Sequence, residues 1–328
     1  MVRTMAPAWI FPPGVEVEPC AIDVGVIQPS SLEIDVRGTL ERYAGRVPAE
    51  PGIIQSEVYR LRQVGACAVV ADVPSAAFAI AAQAGIPGIA LANFSWDWIY
   101  EPFTEQHPQY AWLIEHICQQ YAQATLLLRL PYHDGLDAFP TAEDIPLLAR
   151  RSRADRLETR ARLGLPPDAH LVLLSFGGHA SAHPDPDQLA RLADHAFVTT
   201  AGENGTAGAA VRHGHNLFTV PPLNDEYVDL LAACDAVITK PGYGIVADVI
   251  ANRVPALYVS RTGFREEPVL VRALETEARA ISLDRAALDA LDLRPALDRL
   301  AAVTRPWTDR PLNGAEIGAR RILKLAGQ

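Results

Sequence analysis

Short apolar runs closed by glycine, proline or acidic residues recur along most of the chain, and segments with amphipathic, helix-like spacing lie between them. In the first part, residues 66–72 (ACAVVAD), 88–92 and 125–130 read as buried strands. Residues 75–84, with Pro74 in the first turn, and 107–123 read as helices. The second part opens on the apolar strand 171–175, followed by strands at 197–200, 217–220, 236–239, 256–260 and 280–283. Helices are predicted at 186–194, 225–233, 245–252, 267–278, 285–291 and 314–325. Such alternation lays helices over parallel sheets. It predicts an α/β chain of two doubly wound, Rossmann-like domains, at 1–140 and 141–328. They join where the pattern dissolves into Pro, Gly and acidic residues between 131 and 152. The helical, basic stretch 150–162 reads as a solvated face. The first domain is expected to lack its opening βα unit: residues 1–27 run through Pro12, Pro13 and Gly14 into extended pieces at 15–18 and 20–27 with no helix between.

The densest chemistry lies in residues 234–267, CDAVITKPGYGIVADVIANRVPALYVSRTGFREE. An apolar strand breaks at Lys240-Pro241-Gly242-Tyr243-Gly244 and runs into a helix. A strand, a glycine-bearing turn and a helix N-terminus together make an anion site: main-chain N–H groups converge there and the helix dipole favours negative charge. Gly242 and Gly244 allow close approach of a ligand to bare backbone. Lys240, one of two lysines in the chain, adds charge. An ordinary βα turn explains the glycines, but not the lysine or the paired acids Glu266 and Glu267. Phosphate or diphosphate binding is the expectation.

Composition narrows the partners. At 328 residues, nearly half of them apolar, the chain can bury two cores. A formal charge of −10 and a pI near 5.4 argue against nucleic acid or an anionic membrane as main partner. No apolar run approaches the ~20 residues of a membrane span, and the start lacks the features of a secretory signal. Cys20, Cys67, Cys118 and Cys234 are scattered on apolar segments and read as buried free thiols. A cytoplasmic location follows as the expectation, in which the sequons at Asn93 and Asn204 carry no meaning.

Four blocks carry a family likeness: Ala71-Asp72-Val73-Pro74, Asn93-Phe94-Ser95-Trp96-Asp97-Trp98-Ile99-Tyr100, Lys240-Pro241-Gly242-Tyr243-Gly244, and Arg261-Thr262-Gly263-Phe264-Arg265-Glu266-Glu267-Pro268. Over roughly residues 15–325 the chain resembles GT-B glycosyltransferases, the two-Rossmann-domain sugar-nucleotide enzymes. The likeness is to the MurG-type branch, and more nearly to the glycosyltransferase-like amino-terminal region of L-arabinokinase-type proteins. The resemblance implies a metal-independent transferase that takes a nucleoside-diphosphate sugar, a UDP-sugar foremost, as substrate, with no resident cofactor and an unidentified acceptor. Gly242, Tyr243 and Gly244 would cradle the diphosphate, with Lys240 at its edge. Asp248 would sit on the ribose hydroxyls, since a carboxylate accepts two adjacent O–H donors. Phe264, Glu266 and Glu267 would belong to the donor-sugar loop. Gly177, Gly178 and His179 would face the interdomain cleft, and residues 221–224, with Leu223, would approach the base. Nothing in residues 1–66 matches the glycine- and histidine-rich opening turn of that family.

Each assignment has a plain structural counterpart. Asp248 could be a helix-surface acid, Glu266 and Glu267 could favour a helix dipole, and His179 could be an idle loop residue. Asp97, among Trp96, Trp98 and Tyr100, is the candidate base if its pocket raises its pKa; otherwise it caps a turn. His213 and His215 lack a third ligand nearby for zinc. Neither a Gly-x-Ser-x-Gly elbow nor a P-loop is present. A glycosyltransferase is the leading reading. A non-catalytic sugar-nucleotide module and a sugar-nucleotide epimerase stay open, and oligomeric state is unread.

Overall fold

The computed structural model describes residues 1–6, 8–177, 184–201, 209–221, 223 and 226–327. Two main sheets carry the chain. The first has four parallel strands in the order Val69–Ala71, Gly88–Ala92, Leu126–Arg129 and Ala142–Asp144. The second has seven, in the order Val211–His213, Leu217–Val220, His195–Thr200, His170–Ser175, Ala236–Thr239, Ala256–Tyr258 and Ala280–Ser282; Val211–His213 alone runs antiparallel. Along His170–Ser175 the side chains alternate between two cores. Leu171 and Leu173 join the cluster on one face, Val172 and Leu174 the cluster on the other. All four are buried, as a period-2 strand covered by helices on both sides requires.

Every predicted strand is present within a few residues of its expected ends. The helix expected at 107–123 is shorter, Trp112–Tyr121, and a further helix that was not foreseen, Trp96–Gln106, precedes it and ends at His107-Pro108. Proline drives the residue before it out of the α region, and His107 sits at φ −130°, ψ 70°. Helices Val36–Arg46, Glu50–Gln63 and Arg294–Ala301, and the strand Ala142–Asp144, were not foreseen. Asp35 caps the first of these helices by accepting from Gly38 N at 2.8 Å. Within the basic stretch, Arg160 is no surface residue. It is 2% exposed and donates to the carbonyls of Ala233, Pro167 and Ala169 and to Asp235. Of the thiols only Cys234 is buried, and Cys67 is exposed.

No described residue before Val69 joins the first sheet, which leaves Val69–Ala71 as its edge. The preceding residues form two small sheets instead, Val2–Thr4 with Val17–Pro19 and Ile27–Ser30 with Glu33–Asp35. The tip of the second hairpin crosses to the large sheet: Leu32 is 6% exposed within the cluster of Val172, Leu257 and Val259, and its carbonyl accepts from Thr262 N at 3.0 Å. In the other direction, helix Gly314–Leu325 returns to the first sheet. Ile317, Ile322 and Leu325 pack on Leu128 and Ile145, and Arg321 Nε donates to Glu143 at 2.7 Å. A boundary at 140/141 therefore cuts ahead of a strand that pairs with the first sheet. Among the described residues, no helix is long and apolar enough to cross a membrane.

Candidate functional site

Numbered by their place in the chain, the six parallel strands of the large sheet lie in the order 3-2-1-4-5-6, with the reversal between His170–Ser175 and Ala236–Thr239. Chains leaving the carboxyl ends of strands at such a reversal turn to opposite faces and open a crevice there. Thr239 Oγ1 ties the two strand ends together by donating to Ser175 O at 2.6 Å. Beyond them stand Gly177, at φ +77°, and Lys240; a Cβ at Gly177 would lie 3.7 Å from Lys240 Cε. The lysine ammonium donates to Ser31 O of the crossing hairpin at 3.1 Å. Burial, and to a smaller extent the Arg261 charge, push its pKa down.

Helix Tyr243–Asn252 starts at this point. Its N-cap is Gly242, extended at φ −153°, ψ 151°, which has no side chain with which to cap the first amides. A Cβ at Gly244 would meet nothing within 4 Å, and one at Gly242 only Ile245 Cγ2 at 3.9 Å. Space therefore stands open beside Gly244 at the start of the helix. The Tyr243 side chain turns the other way: its ring stacks on Phe94 of the first sheet at 5.6 Å and 14°. Its hydroxyl is buried with no hydrogen-bond partner among the described residues, and burial raises its pKa.

Several expected residues have other occupations. Asp248 is 2% exposed, and both its oxygens are taken by Arg150: Oδ1 by the main-chain N at 3.1 Å, Oδ2 by Nε at 3.1 Å and by Nη2. A carboxylate so enclosed cannot reach ribose; it ties the 150s segment to the helix. Glu267 accepts from Arg261 N at 3.0 and 2.8 Å and from Arg261 Nε at 3.2 Å, while Glu266 takes Arg261 Nη2 at 3.1 Å. The guanidinium lies 3.9 Å above the Phe264 ring, which is itself buried. The paired acids thus brace the 261–267 loop around Arg261, a residue the sequence reading passed over. Leu223 is half-buried against the core. Gly178, His179, Pro222 and Asn224 lie outside the described residues.

The first sheet presents its own carboxyl edge. Phe94 follows the strand Gly88–Ala92 and meets Tyr243. Trp98 lies under the Arg265 guanidinium at 4.8 Å, and Arg265 Nη1 also reaches Glu101 at 2.7 Å. Trp96 stacks on Tyr100 and donates Nε1 to Asp23. Asp97 faces inward: its Oδ1 is buried without a partner among the described residues, and burial, with the Asp97 charge second, pushes the neighbouring Cys118 thiol up to about 12. Burial raises the Asp97 pKa in the direction expected, but a sealed oxygen beside a thiol is poorly placed to meet an acceptor.

Asp72, at the end of the strand Val69–Ala71, is the acid that reading missed. It is exposed, yet burial, with the Asp23 charge second, pushes its pKa up to about 6. Val73 behind it holds φ +72°, a strained value for a β-branched residue. The strain is pinned by Tyr121 Oη donating to Val73 O at 2.6 Å. The chain's one signal was that Asp72 immediately follows a buried strand.

Comparison with known proteins agrees with this geometry. No family model matches the chain. It is 30% identical to the L-arabinokinase of Arabidopsis thaliana over 341 aligned residues, covering 99% of this chain and 31% of that protein. It is 39% identical over 134 residues to the UDP-N-acetylglucosamine--N-acetylmuramyl-(pentapeptide) pyrophosphoryl-undecaprenol N-acetylglucosamine transferase of Nocardia farcinica, covering 37% and 32%. The chain thus spans about a third of the length of these two relatives. Among solved structures it superposes on the kitacinnamycin glycotransferase with TM-score 0.59 and 18% identity over 96% of this chain and 84% of that one. The calicheamicin glycosyltransferase CalG4 gives 0.55 and 17%, over 95% and 83%. Acinetobacter baumannii MurG gives 0.53 and 13%, over 95% and 86%. The chain has the GT-B fold, as its resemblance implied, and its relatives include both L-arabinokinase and MurG-type transferases.

Proposed function

We propose that this chain binds a nucleoside-diphosphate sugar at the corner of Gly177, Lys240 and Gly242–Gly244 and transfers the sugar to an acceptor hydroxyl held against the first sheet. The observation that carries the reading is the uncapped, sterically open helix N-terminus at the reversal of strand order, with a lysine at its edge. Lys240 has three N–H donors, so the one given to Ser31 leaves two for a phosphate. Fixed amides, a helix dipole and an ammonium stabilise a departing diphosphate without needing to reorganise. Asp72 is the base: it takes the acceptor proton, the freed oxygen attacks the anomeric carbon, and the bond from that carbon to the diphosphate breaks. A carboxylate near pH 6 suits that task. A UDP-sugar is the proposed donor, with a MurG-type relative in support.

One observation favours a binding module without chemistry. The hairpin carrying Ser31 and Leu32 already leans on the Lys240 corner, so the site can report occupancy through hairpin position alone. Calorimetry with UDP, dTDP and ADP tests the donor site; no binding by any of them overturns it. Product analysis with labelled UDP-sugars then separates transfer or donor hydrolysis from binding alone and from isomerised donor.

A further inference from the structure

A second concave site lies between helices Glu50–Gln63, Ala76–Ala84 and Trp112–Tyr121, none of which lines the phosphate corner. It is a cavity of about 350 Å³, within the size range of small-ligand pockets. Its polar lining is unusual in kind: Glu50, His116 and five glutamines, Gln55, Gln83, Gln119, Gln120 and Gln123, with no lysine or arginine. At its base the Glu50 residue is 3% exposed, and its Oε2 receives His116 Nε2 at 2.6 Å and Gln120 Nε2 at 2.8 Å. Gln120 is held in turn by Ser75 Oγ donating to its Oε1 at 2.5 Å, and Ser75 lies 3.3 Å from Tyr43 Oη. Four buried or half-buried polar groups, His116, Gln120, Ser75 and Tyr43, are thus linked around a carboxylate whose Oε1 has no hydrogen-bond partner among the described residues.

We infer that this cavity binds a small uncharged polyol of monosaccharide size. An anion is disfavoured, because the wall offers a carboxylate and no fixed cation. Hydroxyl groups suit it: each is both donor and acceptor, the Glu50 carboxylate accepts, and the wall glutamines, Gln120 apart, add amide oxygens and further N–H donors. Glu50 and Gln120, buried and already oriented by the protein, lose little on binding such a ligand. The inference does not depend on the sugar-transfer reading, since it concerns different residues and needs no turnover.

The test is calorimetric titration of the full chain with D-glucose, D-galactose, L-arabinose and N-acetyl-D-glucosamine, with choline and inorganic phosphate as charged probes. At least one sugar is expected to bind, with neither charged probe competing. Glu50→Gln and Gln123→Ala are each expected to weaken binding about tenfold, the loss of one good hydrogen bond to a charged or oriented partner. Gln123 is exposed, so its variant folds even if Glu50→Gln does not. UDP titration of the same variants is expected to be unchanged. Failure of every sugar to bind, preference for choline or phosphate, or full sugar affinity in Gln123→Ala each overturns the inference.

Discussion

Lys240 Nζ donates to the main-chain oxygen of Ser31, 209 positions earlier in the chain, at 3.1 Å. The bond joins the proposed diphosphate corner to a hairpin whose tip residue, Leu32, is buried in the large sheet's core. The corner is therefore built by both halves of the chain, and the half-buried ammonium is held there by Ser31.

Lys240→Met keeps the aliphatic stem beside Gly177 and removes the charge. Affinity for UDP is expected to fall about tenfold, the scale of one charge-assisted hydrogen bond. Calorimetry at fixed ionic strength measures it; unchanged affinity places the diphosphate elsewhere.

Asp248→Ala separates a structural acid from a ligand-binding one. Removing a carboxylate that is buried and holds three donors from Arg150 is expected to cost about 2–3 kcal/mol of stability. UDP affinity in the folded variant stays the same. Urea unfolding and calorimetry on one preparation give both answers.

Asp72 sets a pH dependence whose sign follows from its raised pKa. The folded chain keeps this proton at pH values where the unfolded chain, with an ordinary aspartate near 4, has lost it. The group's contribution to stability therefore falls as pH climbs from about 4 and is gone above about 6. Asp72→Asn is expected to flatten that window and to be the more stable protein above it. Transfer activity in the wild type should rise through about pH 6, and the variant should lose at least a hundredfold in kcat. A variant with wild-type kcat removes Asp72 from the chemistry.

Gly135 sits at φ +61°, where a Cβ would lie 1.8 Å from Trp98 Cγ. Gly135→Ala is expected to cost about 2–3 kcal/mol through overlap and backbone strain. It should also displace Trp98 from beneath Arg265, which tryptophan fluorescence can follow.

Much of the fold was legible because strands buried on both faces must be apolar throughout and helices must repeat near every third or fourth residue. Leu171–Leu174 and Ala236–Thr239 could hardly be anything but central strands. Helix Val36–Arg46 was hidden because its buried stripe is only Thr39, Leu40 and Tyr43, with glycines at 38 and 45. Its start depends on one capping bond from Asp35.

The candidate site divides in the same way. Local chain chemistry determined the Lys240–Gly244 turn: a strand must end, glycines leave backbone bare, and a helix start points its amides outward. Only the tertiary structure decided what the acids do. Asp248, Asp97 and Asp72 are alike as residues, and nothing within a few positions of each reveals its partner, whereas Glu266 and Glu267 are held by Arg261 in their own loop. Arg150, 98 positions away, claims Asp248; Arg261 claims the glutamates; a thiol on a neighbouring helix abuts Asp97. Asp72 stands exposed at the end of the strand Val69–Ala71. A carboxylate's role depends on its solvation and on the charges within a few ångströms, and those are set by which distant segments the fold brings together.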